Sequence, residues 1–348
     1  MKVKHLLHCH LLVTGMFPEM AAAAPRLPGL EALLAFSRRR EISVGGADAW
    51  LCHAFGVLRQ NDWPVAPFAA LGDGLAPRRE YWMHADPVHF HLLRDRFTVA
   101  DCVPFDLTME ETLPLIAMLN QHFADNGLQF FAPHANRWYL RLDKPPALKT
   151  QPLVEVIGQD INRLLPQGED AMKWHGWLNE AQMLLHDHPV NLERERRGEL
   201  PVNSIWPWGG GVLPQPASLS FTDVWAGNVL VRGLVQANGR EARFLPFSAW
   251  EWLEEVPTDG AHLIVLDDLE KGDFREDIVN WREALERMER HWFAPLLESL
   301  KRDRVSSIHL HLAQRHQVKS FVVERSGIWK FWWNFWRRPK PLETYLDG

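Results

Sequence analysis

Cysteine is scarce in this chain: among 348 residues only Cys9, Cys52 and Cys102 carry thiols. An odd number without CxxC spacing argues against a disulfide framework or a thiolate zinc site, and fits reduced thiols in a cytoplasmic protein. Long apolar runs are missing too. No segment approaches the roughly 18 consecutive apolar residues of a membrane-spanning helix, so no transmembrane segment is expected. The opening MKVKHLLHCHLLVTGMF has the basic start and short apolar run of a signal peptide. His5, His8 and His10 interrupt that run, which favours a first buried strand emptying into a loop. Basic charge is not in excess. Against 44 Asp and Glu stand 38 Lys and Arg, a formal charge of -6, so no global field draws nucleic acid and none is expected as a partner. Internal repeats and low-complexity tracts are absent as well.

What is present is an ordinary globular balance, 46% hydrophobic and 24% charged, in a chain long enough for two domains or one with a large insertion. Tryptophan is the outlier at 17 residues, and composition alone assigns it neither to a core nor to a site. Residues 5–14 read as a strand. Pro28-Gly29 opens a helix with Leu30, Leu33 and Leu34 at helical spacing and Arg38 to Arg40 at its end, where the helix dipole favours cations. Residues 50–58 read as a further helix, and 62–77, rich in Pro, Gly and Ala, as a long loop. From Trp82 short strands at 88–92, 96–99, 130–131 and 138–142 surround a helix opened by Thr108, Glu110 and Glu111. A helix at 171–186 follows. In the last third, strands at 203–208, 223–234, 242–245, 262–267, 306–312 and 319–323 alternate with a helix at 273–300. This alternation predicts an α/β fold with a mostly parallel sheet flanked by helices. The expected organisation is a discontinuous core domain, 1–83 and 201–348, with a smaller α+β domain, 84–200, inserted.

Five strings carry candidate chemistry. In NSIWPWGGG, 203–211, a strand runs into three glycines whose backbone can approach a ligand closely and form an anion nest; a tight structural turn beneath Trp206 and Trp208 is the competing reading. HDHPVNLERERRGELPVN, 186–203, offers Arg194, Arg196 and Arg197 as forks for phosphate or carboxylate, against a solvated charged turn. His186 and His188 there have no obvious third partner for a metal. HLIVLDDLEKGDFRED, 262–277, is an apolar strand ending in Asp267 and Asp268, where α/β sheets place ligands, although paired Asp at a strand end is common without a metal. SSIHLHLAQRH, 306–316, sets His309 and His311 on one face of a strand, a spacing that suits zinc or manganese and that 17 histidines also produce by chance. Finally, GIWKFWWNFWRRPKP, 327–341, interleaves aromatics and bases. Either it caps its own sheet with Trp329, Phe331, Trp332, Phe335 and Trp336, or it meets a protein partner or membrane surface.

The order of these motifs resembles a known family. DPVHFHLLRDRFTVAD (86–101), MEETLPLIAMLNQHF (109–123), HANRWYLRL (134–142), HPVNLERERRGELPVNSIWPWGGG (188–211) and DDLEKGDFREDIVNWREALERMERHWFAPLLESL (267–300) look like the archaeal-type cofactor-independent phosphoglycerate mutases of the alkaline phosphatase superfamily. They look more closely still like the proteobacterial RpfE-type regulatory proteins. The resemblance implies an alkaline phosphatase-like α/β core with an inserted domain, and two divalent metals, usually manganese, that activate a Ser or Thr for phosphoryl transfer. Several positions depart from it. The acidic ligand after the first strand is replaced by Val13-Thr14-Gly15, Glu270-Lys271 falls where a metal-binding His is expected, and the later Asp-His pair becomes Leu310-His311 or a neighbour. Only Ser43 offers a hydroxyl between residues 43 and 75. Asp267, Asp268 and His311 are therefore expected as vestigial metal candidates, with no catalytic residue and no cofactor. The expected ligand surface is an interdomain cleft with Arg137, Arg194, Asn203, Trp206, Trp208, Gly209, Gly210 and Gly211, open to a phosphorylated small molecule. The reading is a degenerate, non-catalytic binding or regulatory protein; the alternative is an active metal-dependent mutase or phosphatase whose rearranged site adds Asp273.

Overall fold

The computed structural model describes residues 7–16, 24–93, 96–99, 106–214, 219–257, 259–270, 278–327 and 339–346. Its strands, in chain order, begin with β1 (Leu7–Val13), β2 (Arg38–Val44), β3 (Tyr81–Val88), β4 (Phe90–Leu93), β5 (Arg96–Val99), β6 (Leu128–His134) and β7 (Arg137–Leu142). They continue with β8 (Leu148–Lys149), β9 (Gln167–Gly168), β10 (Ser204–Val212), β11 (Asp223–Trp225), β12 (Gly260–Leu266), β13 (Ser307–Ala313) and β14 (Gln317–Glu324). The chain divides into two units, residues 1–55 with 218–348, and residues 56–217. These boundaries differ from those expected at 84 and 200. The physical reason is β10: it pairs antiparallel with β3, and the helix Val65–Gly72 packs on both, so all three belong to the second unit.

In the first unit six strands lie in the order β11-β12-β1-β13-β14-β2. β11, β12, β1 and β13 are parallel, and β14 and β2 complete the sheet antiparallel, so the fold is α/β with a mostly parallel sheet and flanking helices. Strand alternation sorts the faces. Cys9, Leu11 and Val13 of β1 enter a core shared with the helices Pro28–Phe36, Ala249–Glu255, Ile278–Met288 and Ala294–Lys301, whereas His8 and His10 take the opposite face. Trp225, Trp252, Trp281 and Trp292 fill that core. Each indole withdraws about 150–250 Å² from water, so the tryptophan excess in the described residues is mainly structural. The first helix is capped from outside. Pro28 removes one unsatisfied N–H, and the Glu289 carboxylate accepts from Gly29 N at 2.6 Å and Leu30 N at 3.1 Å. Glu289 opens a π-helical turn, Glu289–Phe293, between the two long helices.

Three local expectations change. Arg38 to Arg40 do not end a helix; Ser37 is extended, and the arginines begin β2 because β14 offers an edge to pair with. The run 223–234 is strand only to Trp225, after which Asn228 Oδ1 accepts from Leu230 N and Val231 N and starts the helix Val229–Ala237. Residues 65–72 of the expected loop are helical, since Pro67 falls in the first turn, where its missing N–H costs little. Of the aromatic–basic tail, 328–338 lies outside the described residues; beyond it Leu342 and Leu346 are buried in the first unit's core.

The second unit is a four-stranded antiparallel sheet, β10-β3-β7-β6, with the small pairs β4-β5 and β8-β9. Helices Met109–Phe123 and Ala171–His186 supply Leu115, Leu119, Phe123, Trp174 and Leu178 to a core around Trp138. The first of these starts in a capping box between Thr108 and Glu111. The triple glycine ends β10 against Pro64 and Tyr81: a Cβ on Gly211 would strike Pro64 Cβ, and one on Gly210 would strike the Tyr81 hydroxyl. Close packing thus explains why side chains are absent there. Gly211→Ala is expected to cost about 1–3 kcal/mol by overpacking, read as a lower urea midpoint; an unchanged midpoint would show that Pro64 yields freely.

Candidate functional site

In sheets of this kind ligands gather outside the carboxyl ends of the parallel strands. Here the residues that follow the strands are Thr14 after β1, Asp267 after β12 and Gln314 after β13. Thr14 is buried and its N–H donates to Leu266 O at 3.0 Å; Gly15 follows with φ 73°, and its α-carbon lies so close to Leu269 that a Cβ would sit 2.7 Å from that carbonyl oxygen. Asp267 is buried and opens a turn closed by Glu270 N to Asp267 O at 3.0 Å, while Asp268 is exposed. At β13, Gln314 Nε2 donates to Leu346 O at 3.1 Å, and the fully buried Lys319 donates to the same carbonyl at 2.6 Å. This ties the short helix Glu343–Leu346 to the β13-β14 hairpin.

His311 does not join that edge. It pairs in register with Leu12, two residues before Thr14, and β1 separates its strand from the one that delivers Asp267. His311 is thus two strands away from Asp267 and set back along its strand from the edge where Asp267 lies. Both imidazole nitrogens are engaged: Nδ1 is hydrogen-bonded to Ser320 Oγ at 2.8 Å and Nε2 to His10 Nδ1 at 3.3 Å. His10 in turn stacks on His309 with ring centres 4.1 Å apart, and Ser307 Oγ lies 2.8 Å from His8 Nδ1 and 3.0 Å from His309 Nε2. The four histidines form a ladder across β1 and β13. Trp50 covers His311 and Phe221 covers His10. Burial, then the neighbouring His10 and His309, hold His311 well below the ordinary histidine range.

Among the described residues no three His, Cys, Asp or Glu side chains are grouped to hold a metal. A pair of divalent ions requires several carboxylates to balance its charge; beside Thr14 and Gln314 the strand ends supply the buried Asp267, with Glu270 and Asp48 close enough to act on one another electrostatically, but among the described residues these carboxylates are not grouped as a three-donor site and do not fit such a pair. Asp273 lies outside the described residues.

The residues expected to meet a ligand all fall in the second unit, and each has a partner inside it. Arg137 is bidentate to Asp73 at 2.6 and 2.7 Å, and Tyr139 donates to the same carboxylate at 2.8 Å. Arg194 is buried, with Nη1 on Glu111 Oε2 at 2.9 Å and Nε on Leu200 O at 2.9 Å. Asn203 imitates a strand partner, accepting from Phe90 N at 2.7 Å and donating to Phe90 O at 3.0 Å. Trp206 Nε1 donates to Gln151 O, and Trp208 Nε1 to Asp86 Oδ2, with the Trp208 ring stacked 4.4 Å from His84. His188 caps the helix Pro189–Arg196 by accepting from Val190 N. The sequence reading missed the histidine ladder and Asp73. The ladder had a signal, His at i and i+2 in both strings, but not the pairing that brings the strings together.

The fold is thus that of a mostly parallel α/β protein interrupted by a second unit. A solved structure of a protein from Pyrococcus horikoshii has the same fold, with a TM-score of 0.51 at 15% identity over 92% of this chain and 88% of that one. No family model matches the sequence. The chain is 26% identical over 155 residues to a 2,3-bisphosphoglycerate-independent phosphoglycerate mutase of Methanosarcina mazei, covering 43% of this chain and 38% of that protein. It is 30% identical over 111 residues to the Methanosarcina barkeri protein of the same name, covering 31% and 28%. The matches therefore span well under half of these relatives, and the chain is phosphoglycerate mutase-like in sequence.

Proposed function

We propose that this chain is a cytoplasmic, phosphoglycerate mutase-like protein that binds rather than turns over its ligand, a regulatory relative of the RpfE type. The observation that carries this reading is the edge of the parallel strands. Thr14 and Gln314 stand where charge-balancing ligands are needed, and Asp267, Asp268 and His311 remain as separated vestiges. A phosphorylated small molecule is the ligand class that the sequence likeness favours, and the tail around 327–341 is the segment we assign to a protein partner. The test pairs elemental analysis of protein purified without chelator with a phosphoglycerate mutase assay in added manganese. We expect no manganese bound at the sheet edge and no turnover. Two equivalents of manganese that are lost in Asp267→Ala, together with turnover, would instead establish the active metal-dependent mutase or phosphatase.

A further inference from the structure

The second unit contains two adjoining hollows of about 370 and 530 Å³ that share Phe90, His186 and Asn203. The smaller is walled by three imidazoles, His89, His91 and His186, and by the Glu195 carboxylate. His89 is fixed in one tautomer: its Nδ1 lies 2.8 Å from the Pro201 carbonyl, which can only accept, so Nδ1 carries the proton and the Nε2 lone pair is left for a ligand. This is the arrangement in which metal-ligating histidines are held, one ring nitrogen donating to a carbonyl and the other binding. His91 follows two residues on and is exposed, and the centres of the two rings are 4.8 Å apart. A zinc ion about 2.0–2.1 Å from one nitrogen of each ring, at a tetrahedral angle, sets the ring centres about 5 Å apart.

We propose that His89 and His91 form the starting chelate of a transition-metal site of the zinc class in this hollow. The two rings bind first, and the exposed His186 and Glu195 turn in to complete the shell with water.

The test uses untagged full-length protein, stripped with chelator, dialysed and titrated with zinc chloride at neutral pH by calorimetry, with cobalt(II) as a visible-absorption probe of tetrahedral nitrogen ligation. One equivalent of zinc is expected. His91→Ala and His186→Ala alter exposed side chains and preserve the fold, as far-ultraviolet dichroism will check; His91→Ala is expected to weaken binding at least about tenfold, and His186→Ala to weaken it measurably. Asp267→Ala should leave this affinity unchanged, which separates the hollow from the sheet edge. No zinc binding, or titrations of both histidine variants identical to the parent's, would overturn the proposal.

Discussion

Exchanging Asp73 for asparagine is expected to destabilise the second unit by about 3–5 kcal/mol, the cost of leaving a buried partner charge uncompensated. The Asp73 side chain is fully buried and accepts from Arg137 twice and from Tyr139 once, while His134 Nε2 lies 3.3 Å away. Removing the negative charge strands a guanidinium that is itself mostly enclosed. Urea unfolding followed by tryptophan fluorescence reads the loss, and because two units are present the transition that shifts identifies the one affected. The double variant Asp73→Leu, Arg137→Met should recover much of the loss, since both charges then leave together. Equal loss in the single and double variants would assign the effect to packing instead. Burial acts to raise the Asp73 pKa, but the Arg137 hydrogen bonds and charge, with Tyr139 and His134, outweigh it and hold the carboxyl below its ordinary range. A depressed carboxyl contributes stability that is complete above about pH 4 and is lost only as pH falls through the folded value.

Acidification from pH 7 to 5 therefore probes a different group, the histidine ladder. Burial and the neighbouring His10 and His309 hold His311 well below the ordinary histidine range in the fold, whereas in the unfolded chain it takes up a proton near pH 6.5. The unfolded state binds more protons, so stability falls as pH drops through this interval. His89 and His262, both lowered chiefly by burial, act with the same sign. Glu270 works the other way: enclosure by protein and the charges of Asp48 and Asp267 push its carboxyl up to about 8, though solvent reaches the side chain and screens the effect. The ladder's share is thus read as a difference. Urea midpoints measured across this interval should fall for the parent and fall less steeply for His311→Gln. Parallel pH profiles would show that the ladder accepts a proton without cost.

Much of the fold was legible in local pattern. β1 and β12 are short apolar runs ending in a loop and in carboxylates, and Thr108 with Glu111 announced a helix start that the structure keeps. What failed had a tertiary cause. Arg38 to Arg40 suit the end of a helix by charge, yet the free edge of β14 decides for strand. The glycines 209–211 suit an anion nest by backbone freedom, yet Pro64 and Tyr81 occupy the space that side chains would fill. The arginines read as ligand forks were chosen by residue type alone. Their partners, Asp73 for Arg137 and Glu111 for Arg194, lie 64 and 83 residues away in sequence, and no motif connects them.

The central position of β1 sets an order of assembly. Its neighbours on both sides are delivered late: Leu7 pairs with Gly260, and His8 with Ser307. When the chain has been synthesised through Ala217, all of the second unit is present, but β1 and β2 still lack every strand they pair with. Contacts this distant in sequence are slow to form, because a long loop must close before any pairing rewards it. The second unit, contiguous from Gly56, has all of its own strand partners in hand before β1 or β2 has any, so the closure of the parallel sheet is the long-range step of assembly.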